Sequence, residues 1–209
     1  MQITWQGHYT VKMTTKEAVV VLDPHSTETG LGGFRGKADI VALSSPAEPT
    51  MSAVSGITGD PLIIDTPGEY SVRDMSLRSF AWYDDKGEEH SIMRWTIEGM
   101  TILHLGALNR ELNEEEMSAV NEVNIDVLLV PVGGGSGLST KQAIDFVSTL
   151  EPRIVIPIHY KIPGTKEKLD DVEQFAKEFG ISPKPSDKKV ILKASKLPQD
   201  DMETIIVRA

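Results

Sequence analysis

Imidazole and carboxylate side chains are the groups in this sequence that could bind a metal ion or move a proton, because the chain has no cysteine. Three of them follow short apolar segments: His8 in "QGHYT", Asp23 in "VVLDP" and His159 in "IPIHYK". Two or three histidines with one carboxylate are enough to hold a catalytic ion. His8, Asp23 and His159, with His25 as a fourth group, are the candidate ligands for one divalent metal such as zinc.

The positions of the other histidines give weaker evidence of a functional role. His25 lies in a predicted loop and His90 in a charged turn, so both are expected at the surface. His104 lies inside the apolar segment "MTILHLG", where an imidazole is expected to be a hydrogen-bonded structural group.

The segment "ADIVALSSPAEPT", residues 38–50, runs from a predicted strand into a loop. The carboxyl end of such a strand is where α/β proteins commonly place their chemistry. Serine, proline and alanine are poor groups for this, and Glu48 is the charged residue of the loop. An alternative without metal would use Tyr83, Glu48 and His159 for acid–base chemistry.

A glycine-rich run, "GGGSG" at residues 133–137, could surround an anion with backbone N–H groups. It lacks the Lys-Ser/Thr pair that a phosphate-binding P-loop requires. The sequence therefore excludes a P-loop and leaves an anion-binding nest open.

The elements that would position these groups fall into two halves. Short alternating or apolar runs predict strands through the first half, and the second half has a β-α-β-α-β order. Helices are predicted at 113–123, 140–150 and 167–179. No long linker divides the chain, so residues 1–209 are predicted to form one domain of two packed sheets with helices outside.

The amino-acid composition limits the classes of molecule that the protein is expected to bind. Lys and Arg number 21 against 31 Asp and Glu, a net charge of −10, which argues against nucleic-acid binding. The first ten residues lack the charged and apolar regions of a signal peptide, and no apolar run could span a membrane. We expect a cytoplasmic protein whose partner is a small molecule or another protein; a homo-oligomer is compatible with the sequence.

Several segments in this order resemble the metallo-β-lactamase superfamily, in its lactonase-like and phosphodiesterase-like branch. They are "ITWQGH", "VVLDP", "ADIVALS", "IIDTPGEYSV", "MTILHLG", "IDVLLVPVGG" and "IVIPIHYK". The resemblance implies an α/β (α+β) fold, a four-layer αββα sandwich. It also implies one or two divalent metals that activate water against an ester, lactone or phosphodiester.

The resemblance further implies where the metal ligands should stand. The family's His-x-His-x-Asp-His motif aligns with Ser45, Ala47, Pro49 and Thr50, none of which is a useful zinc ligand. Two further ligand positions carry Tyr83 and Ala107, and His159 retains the last. His8 and Asp23 fall where the family places groups that orient the ligands.

Our leading hypothesis from the sequence is a metallo-β-lactamase-fold protein with a degenerate site. It would bind or assemble without catalysis and without a metal, and its melting temperature would not respond to chelator or metal. The alternative is a hydrolase of an ester, lactone or phosphodiester with one divalent metal at a site rebuilt around His159, His8 and Asp23. Either hypothesis places one cleft at the vestigial pocket, formed by His8, Asp23, Ser45, Glu48, Thr50, Tyr83, Ala107 and His159.

Overall fold

Two mixed β-sheets face each other in this protein. The structure, a computed structural model, describes residues 1–182, 184–185 and 187–209. In spatial order the first sheet contains β15 (Val190–Ile191), β1 (Gln2–Trp5), β2 (Val11–Thr14), β3 (Val19–Leu22), β5 (Ile40–Ala42) and β7 (Leu62–Ile64). The second contains β14 (Lys184–Pro185), β16 (Glu203–Ile206), β13 (Ile154–Ile158), β12 (Val127–Pro131), β11 (Met100–His104), β10 (Glu89–Ile97), β9 (Met75–Tyr83) and β8 (Gly68–Val72). Strands β4 (Gly36–Lys37) and β6 (Ile57–Thr58) pair separately.

The core lies between the two large sheets because strand side chains alternate between faces. In β3, Val20 and Leu22 join the main apolar cluster, whereas Val21 belongs to a small second cluster on the other face. The main cluster extends along the chain from Met1 to Val207. The parallel strands β12 and β13 are buried throughout, as their continuously apolar sequences predict.

Three α-helices are described, and all lie on the side of the eight-stranded sheet. Helix α2 (Thr140–Leu150) contacts β12 and helix α3 (Val172–Phe179), and helix α1 (Glu114–Val120) offers carbonyl groups to Arg94 of β10. Among the described residues, no helix is long and apolar enough to cross a membrane.

The predicted helix boundaries match α2, lie within three residues of those of α1, and miss the start of α3 by five residues. Helix α1 ends at Val120 rather than residue 123, because Glu122 leaves the helix to pair with Arg78 and Arg94 of the sheet. Helix α3 begins at Val172 rather than residue 167, and the five residues before it form a loop that carries Glu167 inward.

The outer face of the six-stranded sheet is covered by loops rather than by an α-helix. These cover loops, residues 24–38 and 46–58, contain 3-10 turns at Thr27–Thr29 and Val54–Gly56. They are joined by hydrogen bonds from Ser26 N–H to the Thr50 carbonyl and from Ala53 N–H to the Pro24 carbonyl. The second apolar cluster lies beneath them and consists of Val21, Phe34, Ala38, Val41 and Leu43. The α+β sandwich is confirmed, but loops form its fourth layer.

Candidate functional site

Two histidines meet where β1 and β13 end. His8 lies in the tight turn between β1 and β2, and His159 follows the last residue of β13. The carbonyl of His8 accepts hydrogen bonds from the Trp5 indole (2.9 Å) and from the His159 N–H (3.2 Å). The two imidazole rings therefore stand edge to face, with centroids 5.0 Å apart.

The backbone at these positions is strained. His8 and His159 have φ angles of 51° and 49°, in the left-handed region, and Asp23 has φ of 45°. Side chains other than glycine adopt this region at a cost of about 1–2 kcal/mol each. Such conformations persist only where the surroundings enforce them, and they concentrate at functional sites.

Glu167 completes the group, although sequence analysis did not identify it. Its Oε2 lies 3.1 Å from His159 Nε2 and 3.7 Å from His8 Nε2, and its Oε1 accepts the Ser136 N–H. Ligand atoms of His8, His159 and Glu167 all lie within 4.8 Å of one another. We call these three residues the HHE group. In the glycine-rich loop, the Ser136 N–H is thus bonded to the Glu167 carboxylate.

The protonation states suit metal binding. Burial lowers the pKa of His159 to about 4, so this imidazole is neutral near pH 7. Burial acts to raise the pKa of Glu167, but hydrogen bonds with His159 and His8 outweigh it and hold that pKa well below its ordinary range. Tyr9 stacks on His159 with ring centroids 3.9 Å apart, and burial raises the tyrosine pKa well above its usual value.

The HHE group fits a divalent cation. Two imidazoles and one carboxylate form a donor set of catalytic zinc sites, which leaves a coordination position for water or substrate. The Nδ1 atoms of His8 and His159 are buried and have no hydrogen-bond partner among the described residues. Both rings face Glu167 through Nε2, so Nε2 and not the unpaired Nδ1 is the atom that each imidazole would offer to an ion.

A cavity of about 310 Å³ opens over the HHE group. Five residues of the predicted pocket border it, namely His8, Ser45, Glu48, Thr50 and Ala107, and Glu167 borders it too. His159 itself is fully buried and contacts the cavity wall through His8 and Glu167. Tyr83 is 53% exposed, lies outside this lining and donates its hydroxyl to Glu89 (2.8 Å).

Asp23 does not line the cleft, so its predicted position is wrong. Its carboxylate is completely buried and accepts hydrogen bonds from Ser44 N–H (2.6 Å), Ser44 Oγ (2.8 Å) and His104 Nε2 (2.7 Å). These contacts fasten the end of β5 to β11, which explains why Asp23 is unavailable to the HHE group. His104 is accordingly a structural group, as predicted.

Of the two histidines predicted at the surface, His25 is buried and His90 is partly buried. The His90 side chain is 12% exposed and lines the cavity, with Nδ1 2.7 Å from Ser45 Oγ and the ring stacked on Trp82. With Asp84 and Glu88 it forms a second group of converging ligand atoms, on the turn between β9 and β10. His25 is 4% exposed and borders a different cavity.

Comparison with known proteins places this geometry in context. Residues 2–159 match the β-lactamase superfamily domain, a match that includes His8 and His159 and ends before Glu167. A UPF0173 protein of Pyrococcus furiosus is 28% identical over 200 residues, covering 86% of this chain and 90% of the relative. A UPF0173 metal-dependent hydrolase of Pyrococcus abyssi is 31% identical over 106 residues, covering 48% of this chain and 45% of the relative.

A solved structure shares the whole fold. A protein of Thermotoga maritima, described as a candidate Zn-dependent hydrolase, has a TM-score of 0.82 and 27% identity to this chain. The match covers 99% of this chain and 97% of that structure.

Proposed function

Because this chain belongs to the β-lactamase superfamily domain family, we propose that it is a metal-dependent hydrolase whose ion is held by His8, His159 and Glu167. The convergence of these three side chains, of which His8 and Glu167 border one cavity, carries the proposal. This proposal keeps the alternative hypothesis from sequence, a hydrolase with one divalent metal, but makes Glu167 rather than Asp23 the carboxylate ligand.

The relatives favour this proposal over a non-catalytic scaffold. Several of them carry the name metal-dependent hydrolase, while the Pyrococcus furiosus relative carries no activity in its name. This chain has Ser45, Ala47, Pro49 and Thr50 where the resemblance places the family's ligand motif. A metal-dependent reaction here therefore needs ligands from elsewhere, and the HHE group provides them.

The chain's own residues prepare the site. A divalent ion would supply Lewis acidity toward the substrate and an activated water. Glu167 contributes the negative charge that compensates the ion. Because its carboxylate only accepts hydrogen bonds, the neutral His159 carries its proton on Nε2, and an ion bound there would displace that proton. The strained turns at His8 and His159 hold both rings in place in advance, which reduces the ordering that binding would otherwise require.

The charge of the cavity favours a neutral substrate. Its lining contains five carboxylates (Glu28, Glu48, Asp84, Glu88 and Glu167) and two ammonium groups (Lys86 and Lys166). One ion does not reverse that excess enough to attract a phosphodiester anion, whereas a neutral ester or lactone meets no repulsion. We therefore propose ester or lactone hydrolysis rather than phosphodiester hydrolysis.

The test combines metal analysis with a substrate screen. Protein purified without chelator should contain about one equivalent of zinc, manganese or iron, and His159→Ala should lose it while retaining the circular dichroism spectrum. Neutral esters and lactones should be hydrolysed faster than a nitrophenyl phosphodiester, and chelator should abolish the activity. Metal-free wild-type protein that remains inactive after metal is added would refute the proposal.

A further inference from the structure

Ser45, His90 and Asp84 form a chain of side-chain contacts in which none of the three HHE residues takes part. Ser45 Oγ lies 2.7 Å from His90 Nδ1, and His90 Nε2 lies 3.7 Å from Asp84 Oδ2. All three residues border the cavity over the HHE group. A hydroxyl beside an imidazole that is itself beside a carboxylate is the arrangement of Ser-His-Asp hydrolases, which is recognised by geometry rather than by sequence order.

The backbone brings Ser45 and His90 together. The Asp23 carboxylate accepts hydrogen bonds from the N–H and the hydroxyl of Ser44, which fixes the chain just after β5. The Ser44 carbonyl then accepts the Ser91 N–H (2.7 Å), which joins β10 to the same point. Ser45 and His90 are the neighbours in sequence of these two bonded residues, so their side chains meet beside this bond.

Asp84 is held so that one of its oxygens lies toward the His90 ring. Its Oδ1 accepts the backbone N–H groups of Lys86 and Glu88, both at 2.9 Å, and its Oδ2 is the oxygen 3.7 Å from His90 Nε2. A carboxylate can only accept, so it favours the proton on Nε2 and leaves the Nδ1 lone pair for the Ser45 hydroxyl. The separation is longer than a hydrogen bond, as catalytic contacts often are before substrate binds.

Two carboxylates favour the imidazolium that forms when His90 takes a proton. Ligand atoms of Asp84, Glu88 and His90 all lie within 4.8 Å of one another. Negative charge at such a distance stabilises the protonated form of an imidazole. His90 is therefore surrounded as a base that acts on a neighbouring hydroxyl should be.

We propose that Ser45 is a nucleophile that accepts the acyl group of a neutral ester, with His90 as its base and Asp84 as the residue that positions His90. Ser45 Oγ bonds to the carbonyl carbon as its proton passes to His90 Nδ1. The bond from that carbon to the leaving oxygen then breaks, and the leaving oxygen takes the proton from His90. The products are an acyl group on Ser45 and a free alcohol.

This acyl transfer does not depend on the HHE group, because neither an ion nor any of its three ligands takes part. In metal-free protein each molecule should react once and keep its acyl group, so chelator still abolishes turnover. Ser45 is 1% exposed, so the ester reaches it through the cavity rather than across the open surface. Failure of the metal site and failure of Ser45 are therefore separate results.

An alkyl fluorophosphonate tests the nucleophile, because a reactive serine displaces its fluoride and keeps the phosphonate. Chelator-treated protein should gain one phosphonate at Ser45, as located by fragmentation mass spectrometry. Ser136 borders the same cavity, but its hydroxyl lies 3.1 Å from the Tyr9 hydroxyl rather than beside an imidazole, so it is the internal control and should remain unlabelled. His90→Gln should slow the labelling by about 100-fold, the usual effect of losing a general base, with the circular dichroism spectrum unchanged.

A thiol at the same position measures the effect of His90 without a phosphonate. The chain has no cysteine, so Ser45→Cys carries the only thiol. Its alkylation by iodoacetamide should have a pH midpoint at or below about 7.5, against about 8.5 for an ordinary thiol, because a neighbouring imidazolium stabilises the thiolate. Adding His90→Gln should raise that midpoint by at least about one pH unit. Folded wild-type protein without label at Ser45, equal labelling of Ser136, labelling that requires added zinc, or a thiol midpoint that His90→Gln leaves unchanged would each overturn the proposal.

Discussion

Glu167 is the carboxylate of the HHE group, and its removal tests the group most directly. Glu167→Gln keeps the size of the side chain and an oxygen acceptor but removes the negative charge that compensates the ion. Even residues that only orient metal ligands change affinity by about 10–100-fold. We therefore expect Glu167→Gln to weaken zinc binding by at least about tenfold, as measured by competition with a chromogenic chelator.

Glu48→Gln is the matched control for that measurement. Glu48 borders the same cavity, and its Oε1 accepts hydrogen bonds from Thr50 N–H and Oγ1, which an amide oxygen can also accept. Its zinc affinity should remain within a factor of about two of wild type, because an exposed charge is screened by solvent. Equal losses in both variants would mean that the general charge of the cavity, rather than Glu167, binds the ion.

His90 is placed to transfer a proton in the same cavity. Ser45 and the Trp82 ring orient its imidazole, and Nε2 has no hydrogen-bond partner among the described residues. His90→Gln should lower kcat by about 100-fold, the usual effect of losing an acid–base group, with the metal content unchanged. Loss of the ion in this variant would instead assign the metal to the group of Asp84, Glu88 and His90.

The alternative hypothesis from sequence named two members of the HHE group, His8 and His159, and named Asp23 rather than Glu167 as the carboxylate. Asp23 directly follows an apolar strand, a position that commonly carries function. The fold uses that carboxylate to fasten Ser44 and His104. Nothing local distinguishes Glu167 in "GTKEKLDD", since its role depends on contact with Ser136, 31 residues away.

The glycine-rich loop after β12 positions Glu167, and two of its glycines make a matched pair. Gly134 and Gly135 both have positive φ, 71° and 64°, so alanine strains either one by about 1–2 kcal/mol. A Cβ at Gly135 would overlap the Glu167 carboxylate, whereas at Gly134 it would meet no atom within 4 Å.

Both alanine variants should therefore lose stability through backbone strain, Gly135→Ala more because its Cβ also overlaps Leu169, and only Gly135→Ala should weaken metal binding. Thermal unfolding of the metal-free proteins and zinc titration of each variant measure the two effects separately. If Gly134→Ala weakens zinc binding equally, the loop conformation as a whole, rather than its contact with Glu167, controls the site.

The helix boundaries show which parts of the fold local sequence patterns are enough to predict. Helix α2 has a capping box, in which Ser139 and Gln142 satisfy each other's backbone N–H groups, so its start is evident from sequence. Helix α3 is amphipathic, and its pattern could be extended back to residue 167. The contact of Glu167 with His159 prevents that extension, and no local propensity encodes such a contact.

The response of the whole protein to metal separates the two hypotheses that the sequence left open. A degenerate site predicts that melting temperature is indifferent to chelator and metal. A functional HHE group predicts stabilisation of about 2.7 kcal/mol at about 100 times the dissociation constant. For a chain of 209 residues that is a rise of about 5–11 °C over the chelator-treated protein.

His159→Ala is the control for these thermal scans. It should melt at the same temperature with chelator and with metal, because it lacks one of the three ligands. If the melting temperature of the wild-type protein does not change with zinc, manganese or iron, the non-catalytic hypothesis is favoured.

The cover loops are the expected unit of local opening. Their buried apolar contacts are the five-residue cluster on the outer face of the six-stranded sheet and Met51 in the main core, and contact surface of that size holds a segment less firmly than the main core holds the sheets. The same loops border both cavities, through Leu31 and Phe34 on one side and Glu48 and Thr50 on the other. A ligand in either cavity should therefore slow the opening of the cover loops, and that opening also admits ligands to the other cavity. Amide hydrogen exchange in these loops measures the effect.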